Sequence, residues 1–366
     1  MRVKLKDITK FSKGTQINGK NLIDDGAYSY LNGGINPSGK WNEFNVAENT
    51  VTISEGGNSS GYVNYMNEAF WCGAHCYYLY DGPKNSKYLY YALKSQQERL
   101  FRIRSGACMP NIKKSDLGNF IIEYEKDEVR QEEVVKVLEK CELLIEDYNK
   151  KLALLDEAVR ARFVEMFGDE NNSKGWEIVN IEDVANVQVG VVIKPSQYYT
   201  DQYNGIKAFR SLNIGDGYIK DDDWVYFSKE GNKKNKKSIL STNDVLVVRS
   251  GAPGTACVVT SEYAGSNAID VIIAHPDFQK VDSRYLCTYT NMPHGKSQII
   301  EGTGGAAQQH FNVGKYNKLK LMLPPLEYQK QYVKFLEEID KSRSRIQKSL
   351  EASQELFDSL MQKYFG

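Results

Sequence analysis

Val135-Lys136-Val137-Leu138-Glu139 and Val333-Lys334-Phe335-Leu336-Glu337 are similar stretches that stand 198 residues apart in this chain of 366 residues. Met166-Phe167-Gly168 and Tyr364-Phe365-Gly366 stand at the same offset. Unrelated segments have no reason to keep a common offset. The chain therefore contains an internal repeat, and the repeated stretch covers about residues 127–168 and 325–366.

Each copy carries a stripe of apolar residues spaced alternately by four and three positions, from Val134 to Val159 and from Tyr332 to Tyr364. This spacing averages 3.5 residues per repeat and keeps one helix face on a partner, as in a coiled coil. Neither copy has an internal Gly, and Pro325 stands only at the start of the second. We predict two paired helices of about 40 residues, roughly 60 Å long. The alternative is two unrelated amphipathic helices, each packed on its own domain.

Polar side chains interrupt the stripe at Arg162, Arg343 and Ser353. Polar residues in a helix seam can fix the register of the pair or mark a place where another chain packs.

The segments that precede the two helices also match near their ends. Gly106, Ile112, Leu117, Phe120 and Ile122 align with Gly305, Phe311, Tyr316, Leu319 and Leu321 at an offset of 199. The repeat unit is thus a domain plus the helix after it. We predict domains at 1–126 and 171–323 and helices at 127–170 and 324–366. Two like halves commonly pack about a two-fold axis, which would make the helices antiparallel.

Both domains have the sequence pattern of short strands and turns. Thr50-Val51-Thr52-Ile53-Ser54 and Asp244-Val245-Leu246-Val247-Val248 are rich in β-branched and apolar residues, as strands are. Asn32-Gly33-Gly34 and Glu55-Gly56-Gly57 are turn sequences. The predicted fold class is α+β, with two α/β domains joined by two long antiparallel helices that form a coiled coil, in a pseudo-two-fold internal repeat.

Charge is distributed unevenly although the chain has 47 basic and 47 acidic side chains. The net charge is +4 in residues 1–126, −6 in 127–170, +2 in 171–323 and 0 in 324–366. The two domains are mildly basic, which permits nucleic-acid binding but does not demand it.

Catalytic motifs with their required context are missing from the sequence. Gly57-Asn58-Ser59-Ser60-Gly61 has the spacing Gly-x-Ser-x-Gly, but a strand pattern follows it and not the helix that such a nucleophile turn requires, and the sequence has no His-Glu-x-x-His. The stretch from Cys72 to Cys76 contains three possible metal ligands, the two cysteines and His75, but no second cluster completes a zinc site. We expect no catalytic residue, no cofactor and no metal. Unpaired cysteines and the absence of a long apolar run favour a cytoplasmic protein without a membrane segment.

Leu323-Pro324-Pro325-Leu326-Glu327-Tyr328-Gln329 at the start of the second helix, together with the duplicated domain-and-helix layout, resembles the specificity subunit of type I restriction-modification enzymes. Arg249-Ser250-Gly251-Ala252-Pro253-Gly254-Thr255 resembles a segment of that family's target-recognition domains. The first copy departs from the pattern because Lys126 and Asp127 stand in place of the two prolines, although Gln131 matches Gln329.

The resemblance implies that each domain reads one half of a bipartite target in double-stranded DNA. It also implies that the helices fix the spacing between the half-sites and bind two methyltransferase (modification) subunits. Restriction (translocase or nuclease) subunits would complete the enzyme. Two mildly basic domains on a stiff rod would suit half-sites at a set separation.

Reading of bases requires side chains on loops that reach the base edges, because phosphate contacts alone carry no sequence information. Polar loop residues are the candidates for DNA contact. In the first domain they are Lys40, Asn42, Asn58, Ser59 and Tyr62. In the second they are Lys194, Arg210, Ser211, Asn213, Lys233, Lys234, Arg249, Ser250, Gln309 and His310.

Each of these residues could instead be an ordinary loop residue with its hydrogen bonds satisfied inside the domain. For the whole chain, the alternative is a coiled-coil scaffold or regulator that does not read DNA. The sequence gives neither the target bases nor the length of the spacer.

Overall fold

The computed structural model describes residues 1–106, 108–303 and 311–366. The chain divides into two compact units. The first unit consists of Met1–Lys151 and Ile346–Gly366, and the second of Leu152–Arg345. Each unit thus contains one globular part and one end of each long helix.

Nine strands form the sheets in the described part of the first unit. They are β1 (Arg2–Lys4), β2 (Lys10–Lys13), β3 (Tyr28–Leu31), β4 (Gly39–Trp41), β5 (Thr50–Ser54), β6 (Val63–Met66), β7 (Phe70–Cys72), β8 (Cys76–Tyr80) and β9 (Ile121–Glu123). The helices that begin in this unit are α1 (Ser86–Lys94), α2 (Gln97–Arg102), α3 (Lys114–Gly118) and the long α4 (Glu128–Phe167).

The second unit has the same plan with insertions. Its strands are β10 (Glu177–Asn180), β11 (Ala185–Val189), β12 (Tyr199–Thr200), β13 (Gly205–Phe209), β14 (Val225–Ser228), β15 (Val245–Val248), β16 (Ala256–Val258), β17 (Asn267–Ala268), β18 (Val271–Pro276) and β19 (Lys320–Leu323). Its helices are α5 (Lys229–Lys234), α6 (Ser283–Asn291), α7 (Pro293–Thr303), α8 (Val313–Asn317) and the long α9 (Leu326–Phe365).

Sheet topology confirms the internal repeat. The strand order β2-β8-β5-β6 in the first unit has its counterpart in β11-β18-β15-β16 in the second. The pair β1-β9 corresponds to β10-β19, and the sheet β4-β3-β7 to β12-β14-β13-β17. In the last two sheets one pair is parallel, β3 with β7 and β13 with β17. Two different sequences therefore fold to one topology, and the second adds β12 and α5.

The long helices pair inside each unit. In the first unit Leu138 near the start of α4 and Phe365 at the end of α9 belong to the same hydrophobic core. In the second unit Phe163 near the end of α4 shares a core with Tyr332 and Leu336 near the start of α9. Because the start of one helix lies with the end of the other in both units, the helices are antiparallel, as predicted. The alternative of helices packed only on their own domains is wrong.

Both long helices begin with the same device although their sequences differ. Gln131 Nε2 donates to the Glu125 carbonyl oxygen at 2.6 Å, and Gln329 Nε2 donates to the Pro324 carbonyl oxygen at 2.8 Å. Both glutamines are buried. In α4 the carboxylate of Asp127 also accepts a hydrogen bond from the Val129 amide at 2.9 Å, which is a typical N-cap. Pro325 has no side-chain acceptor, and the starts of the two helices share only backbone bonds at this position, from the Gln131 amide to the Asp127 carbonyl at 2.9 Å and from the Gln329 amide to the Pro325 carbonyl at 3.3 Å.

Candidate nucleic-acid interface

Three loops of the second unit meet at the connection between β17 and β18. The Val191 amide donates to the Ala268 carbonyl at 2.8 Å, and the Ile269 amide donates to the Phe209 carbonyl at 2.8 Å. The loop after β11 contains Lys194, and Arg210 directly follows Phe209. The structure thus brings these two predicted residues to the same edge of the domain.

Arg249 joins this group through an ion pair. Its Nη1 lies 2.6 Å from Oδ1 of Asp270, and its Nε donates to the Phe311 carbonyl at 3.0 Å. The Arg249 side chain is only 14% exposed, whereas that of Asp270 is 39% exposed. Ser250, the next predicted residue, is half-buried. The guanidinium of Arg249 therefore fastens the loop from inside, and the carboxylate of Asp270 is the outward member of the pair.

The loop after β13 is ordered by its own polar residues. Arg210 donates to the Asp223 carbonyl and lies 3.2 Å from the Asp223 carboxylate. Asn213 is fully buried, where its Nδ2 donates to the Asp222 carbonyl at 2.8 Å and its Oδ1 accepts from the Arg210 amide at 2.9 Å. Ser211 is half-buried. Asn213 thus holds the loop together and does not face outward, so it cannot reach a base edge in this conformation.

Three of the predicted lysines of the second unit carry exposed positive charge. Lys233 and Lys234 are exposed at the end of α5, and Lys194 is exposed in the loop after β11. The side chain of Ser228 caps α5 by accepting from the Gly231 amide at 3.0 Å, which fixes the start of this helix. Such ammonium groups can contact phosphates without regard to sequence. The predicted Gln309 and His310 lie outside the described residues.

The first unit has an equivalent meeting of loops around the connection between β7 and β8. Gly33 has a φ of +83°, and a Cβ there would lie 2.3 Å from the His75 carbonyl oxygen. Ser59 Oγ donates to the Gly33 carbonyl at 2.6 Å, and the Glu55 amide donates to the His75 carbonyl at 2.8 Å. The predicted Asn58 is exposed in the same loop. Two of the predicted residues, Asn58 and Ser59, therefore lie in the loop that begins at Glu55 and is bonded to the His75 backbone.

The other predicted residues of the first unit are more dispersed. Tyr62 is half-buried, and the Lys94 ammonium lies 3.9 Å from its ring centroid. Lys40 is exposed on β4 opposite Ser29. Asn42 is exposed beyond the end of β4, away from the turn that contains Gly33. The structure does not bring Asn42 to the loops around His75.

A family described as the type I restriction modification DNA specificity domain has a model that matches residues 1–156 and 173–354. The chain belongs to this family. A putative type I specificity subunit of Mycoplasma pneumoniae is 37% identical over 149 residues, which cover 40% of this chain and 40% of that protein. A putative type I specificity subunit of Mycoplasma genitalium is 34% identical over 163 residues, which cover 40% of this chain and 42% of that protein. The chain thus matches less than half the length of these two curated relatives.

Solved structures share the specificity-subunit fold. The crystal structure of a type I restriction-modification system S subunit from M. genitalium has a TM-score of 0.67, 20% identity, and covers 100% of this chain and 96% of that chain. A structure from work on complex assembly of a type I restriction-modification system has a TM-score of 0.53 and 14% identity, and the match covers 100% of this chain and 97% of that chain. None of the helices in the described ranges has an apolar stretch able to span a bilayer.

Glu55 and Asp270 are not among the predicted residues. The sequence presents His75 only as a possible metal ligand beside two cysteines. Those cysteines are buried, and the neighbouring Cys76 side chain together with burial raises the pKa of the Cys72 thiol. His75 Nδ1 instead lies 3.5 Å from Oε2 of Glu55. Strand register reveals these partners, and no local sequence motif does.

Proposed function

We propose that this chain is the sequence-specific DNA-recognition subunit of a type I restriction-modification enzyme. Its target-recognition domains, residues 1–126 and 171–323, each read one half of a bipartite target in double-stranded DNA. The helices at 127–170 and 324–366 set the spacing of the half-sites and hold two modification subunits. The observation that carries the proposal is the repeated topology, in which loops meet at equivalent connections, between β7 and β8 in the first unit and between β17 and β18 in the second.

The division of labour follows from the same proposal. The chain supplies recognition without catalysis and needs no cofactor or metal, the modification subunits transfer methyl groups, and restriction subunits translocate or cut the DNA. A complex of this kind acts in the cytoplasm, where its DNA substrate lies. Membership of the specificity family supports this division.

Length of the paired helices supports the role in spacing. α4 and α9 are 40 residues each, and each has one end in each unit. A helix pair of that length is stiff, so the separation of two bound half-sites would be a fixed number of unread base pairs. Insertion of one or two heptads into both helices would then lengthen the unread spacer and leave the half-sites unchanged.

The test begins with methylome sequencing of a host that expresses this chain with its modification subunits. A split motif is expected. Duplexes with the intact motif, with either half scrambled, or with an altered spacer are then titrated with the complex at several salt concentrations. Binding should require both halves and weaken as salt rises, because counterions are released from the phosphates.

Three results would contradict the proposal. An unsplit motif would contradict the reading of two half-sites, and binding that ignores sequence and salt would favour a scaffold without a DNA-reading role. Methylation of DNA by the purified chain with S-adenosylmethionine alone would show that the chain is itself an enzyme.

A further inference from the structure

In each unit one strand of the four-stranded sheet comes last in the sequence, β8 in the first unit and β18 in the second. The residue directly before that strand occupies the same place in both units. Ser54 at the end of β5 pairs with Cys76 at the start of β8, and Val248 at the end of β15 pairs with Val271 at the start of β18. His75 and Asp270 each precede that last strand. Glu55 directly follows β5, which pairs with β8, and Arg249 directly follows β15, which pairs with β18. The four residues therefore form two structurally equivalent pairs.

Hydrogen bonds around the two pairs are equivalent as well. The Ile112 amide donates to the Glu55 carbonyl at 2.9 Å, and the Phe311 amide donates to the Arg249 carbonyl at 3.1 Å. The Gly14 amide donates to the Cys76 carbonyl at 3.3 Å, as the Gly190 amide does to the Val271 carbonyl at 2.9 Å. The same backbone frame thus holds two pairs whose acidic and basic positions are exchanged.

Exposure distinguishes the members of each pair. Glu55 and Arg249 are each 14% exposed, whereas His75 is 60% exposed and Asp270 is 39% exposed. Glu55 is further fixed by Lys13, whose Nζ lies 2.7 Å from its Oε1. Asp270 has a φ of +49°, a conformation that aspartate tolerates better than most residues. In both units a more buried charged residue orients an outward polar residue where the loops meet.

We infer that Asp270 and His75 are equivalent base-reading residues, one for each half-site, and that Arg249 and Glu55 are their positioning residues. This inference rests on the proposed function. Oδ1 of Asp270 is bound to Arg249, which leaves Oδ2 to accept a hydrogen bond in the major groove. Only cytosine N4 and adenine N6 are amine donors there. Asp270 therefore selects cytosine or adenine and rejects guanine and thymine.

His75 reads the other half-site from the same position. Its Nδ1 faces Glu55, so its Nε2 is the ring atom that can meet a base edge. Ser59, bonded to the Gly33 carbonyl, and the exposed Asn58 lie in the adjoining loop. Since the pairs differ in chemistry while the frame does not, exchange of these residues changes the base that is read without a change of fold.

The experiment uses the full chain in complex with its modification subunits and a pool of duplexes randomised one base at a time in either half-site. Asp270→Asn keeps an oxygen for Arg249 and replaces the outward acceptor by an amide, whereas Asp270→Ala removes both. Asp277→Asn is the matched control, because Asp277 follows β18 at its other end, about 20 Å away at the rise of an extended strand. His75→Gln is the counterpart in the first unit.

We expect Asp270→Ala to lower the preference for cytosine or adenine at one position of one half-site by about tenfold, and to leave the other half-site unchanged. Asp270→Asn should alter the base preferred at that position while the complex keeps its melting temperature. His75→Gln should act on the opposite half-site only, and Asp277→Asn on neither. Unchanged preferences in Asp270→Asn and His75→Gln, or losses spread over both half-sites, would overturn the inference. Failure of the wild-type complex to select any sequence would instead overturn the proposed function.

Discussion

Gln96 and His294 stand 198 residues apart, and each donates a hydrogen bond to the C-terminal end of a long helix. Gln96 Nε2 lies 2.9 Å from the Phe365 carbonyl oxygen, and His294 Nε2 lies 3.2 Å from the Gly168 carbonyl oxygen. The last carbonyl groups of a helix lack partners within it, so these donors satisfy groups that would otherwise need water. Each unit thus fastens the end of one long helix with a side chain at an equivalent place in the repeat.

We expect Gln96→Ala to loosen the last turn of α9. A hydrogen bond of this kind contributes about 1 kcal/mol net, so amides in that turn should exchange roughly fivefold faster. Hydrogen exchange of peptides from residues 358–366, compared with peptides from 128–140, measures this. Gln354→Ala is the control, because Gln354 is an exposed residue of α9 whose side chain donates to Asp358 of the same helix. Equal protection of the last turn in wild type and Gln96→Ala would show that the bond does not hold the helix end.

The polar seam of the helices should contribute little to stability. Arg343, which interrupts the apolar stripe, has its Nη2 2.6 Å from Oδ1 of Asp156. Their side chains are 37% and 56% exposed, so solvent screening limits the pair to under about 1 kcal/mol. Leu336 is buried in the core of the second unit, and its replacement by Ala should cost about 2 to 5 kcal/mol. Urea unfolding of Arg343→Met and Leu336→Ala separates the two effects, and similar costs would contradict this account.

Helices could be predicted from the sequence because their signal is periodic and local. The apolar stripe and the shared offset are visible without coordinates, and the structure has 40-residue helices at those places. The candidate interface depends on strand register, which the two dissimilar domain sequences do not display. Asp270 meets Arg249 only because β15 pairs with β18, and Asn213 looks like a free loop residue until its buried bonds to Asp222 and Arg210 are known. Residue type alone cannot distinguish a side chain that faces outward from one that holds its own loop together.

Backbone segments approach each other so closely where the loops meet that two positions require glycine. A Cβ at Gly33 would lie 2.3 Å from the His75 carbonyl oxygen, and one at Gly190 would lie 2.3 Å from the Ala268 carbonyl oxygen. Gly33 also has a positive φ, which adds strain on the order of 1 to 3 kcal/mol for another residue. We expect Gly33→Ala to weaken recognition of one half-site and Gly190→Ala that of the other. Half-site competition measures this, with Gly19→Ala as the control because its Cβ would meet nothing within 4 Å.

Alkaline pH should destabilise the first unit through Tyr77. Burial, with a smaller effect of Glu55, raises the pKa of Tyr77 to about 12 from the ordinary value of 10.0. Its hydroxyl donates to the Ile112 carbonyl at 3.1 Å, a bond that requires the proton. Because the folded-state pKa is raised, the contribution of Tyr77 is complete below pH 10 and is lost as the pH rises from about 10 to 12. The difference in unfolding free energy between wild type and Tyr77→Phe should shrink over that range. A constant difference would show that Tyr77 ionises as easily in the folded chain as in the unfolded one.

Lys233 and Lys234 should contribute to affinity for DNA without contributing to its specificity. They are exposed on α5, and each phosphate that a lysine neutralises adds about 0.9 to the slope of log affinity against log salt. Replacement of both by Ala should therefore lower the magnitude of that slope by up to about 1.8 and weaken binding equally for all duplexes. Lys150 and Lys151 are a matched control, because they are also adjacent lysines on a helix and are paired with Glu146 and Asp147 at 2.7 and 2.6 Å. The same slope in wild type and the Lys233→Ala/Lys234→Ala variant would place α5 away from the DNA, since phosphate contacts cannot be removed without loss of counterion release.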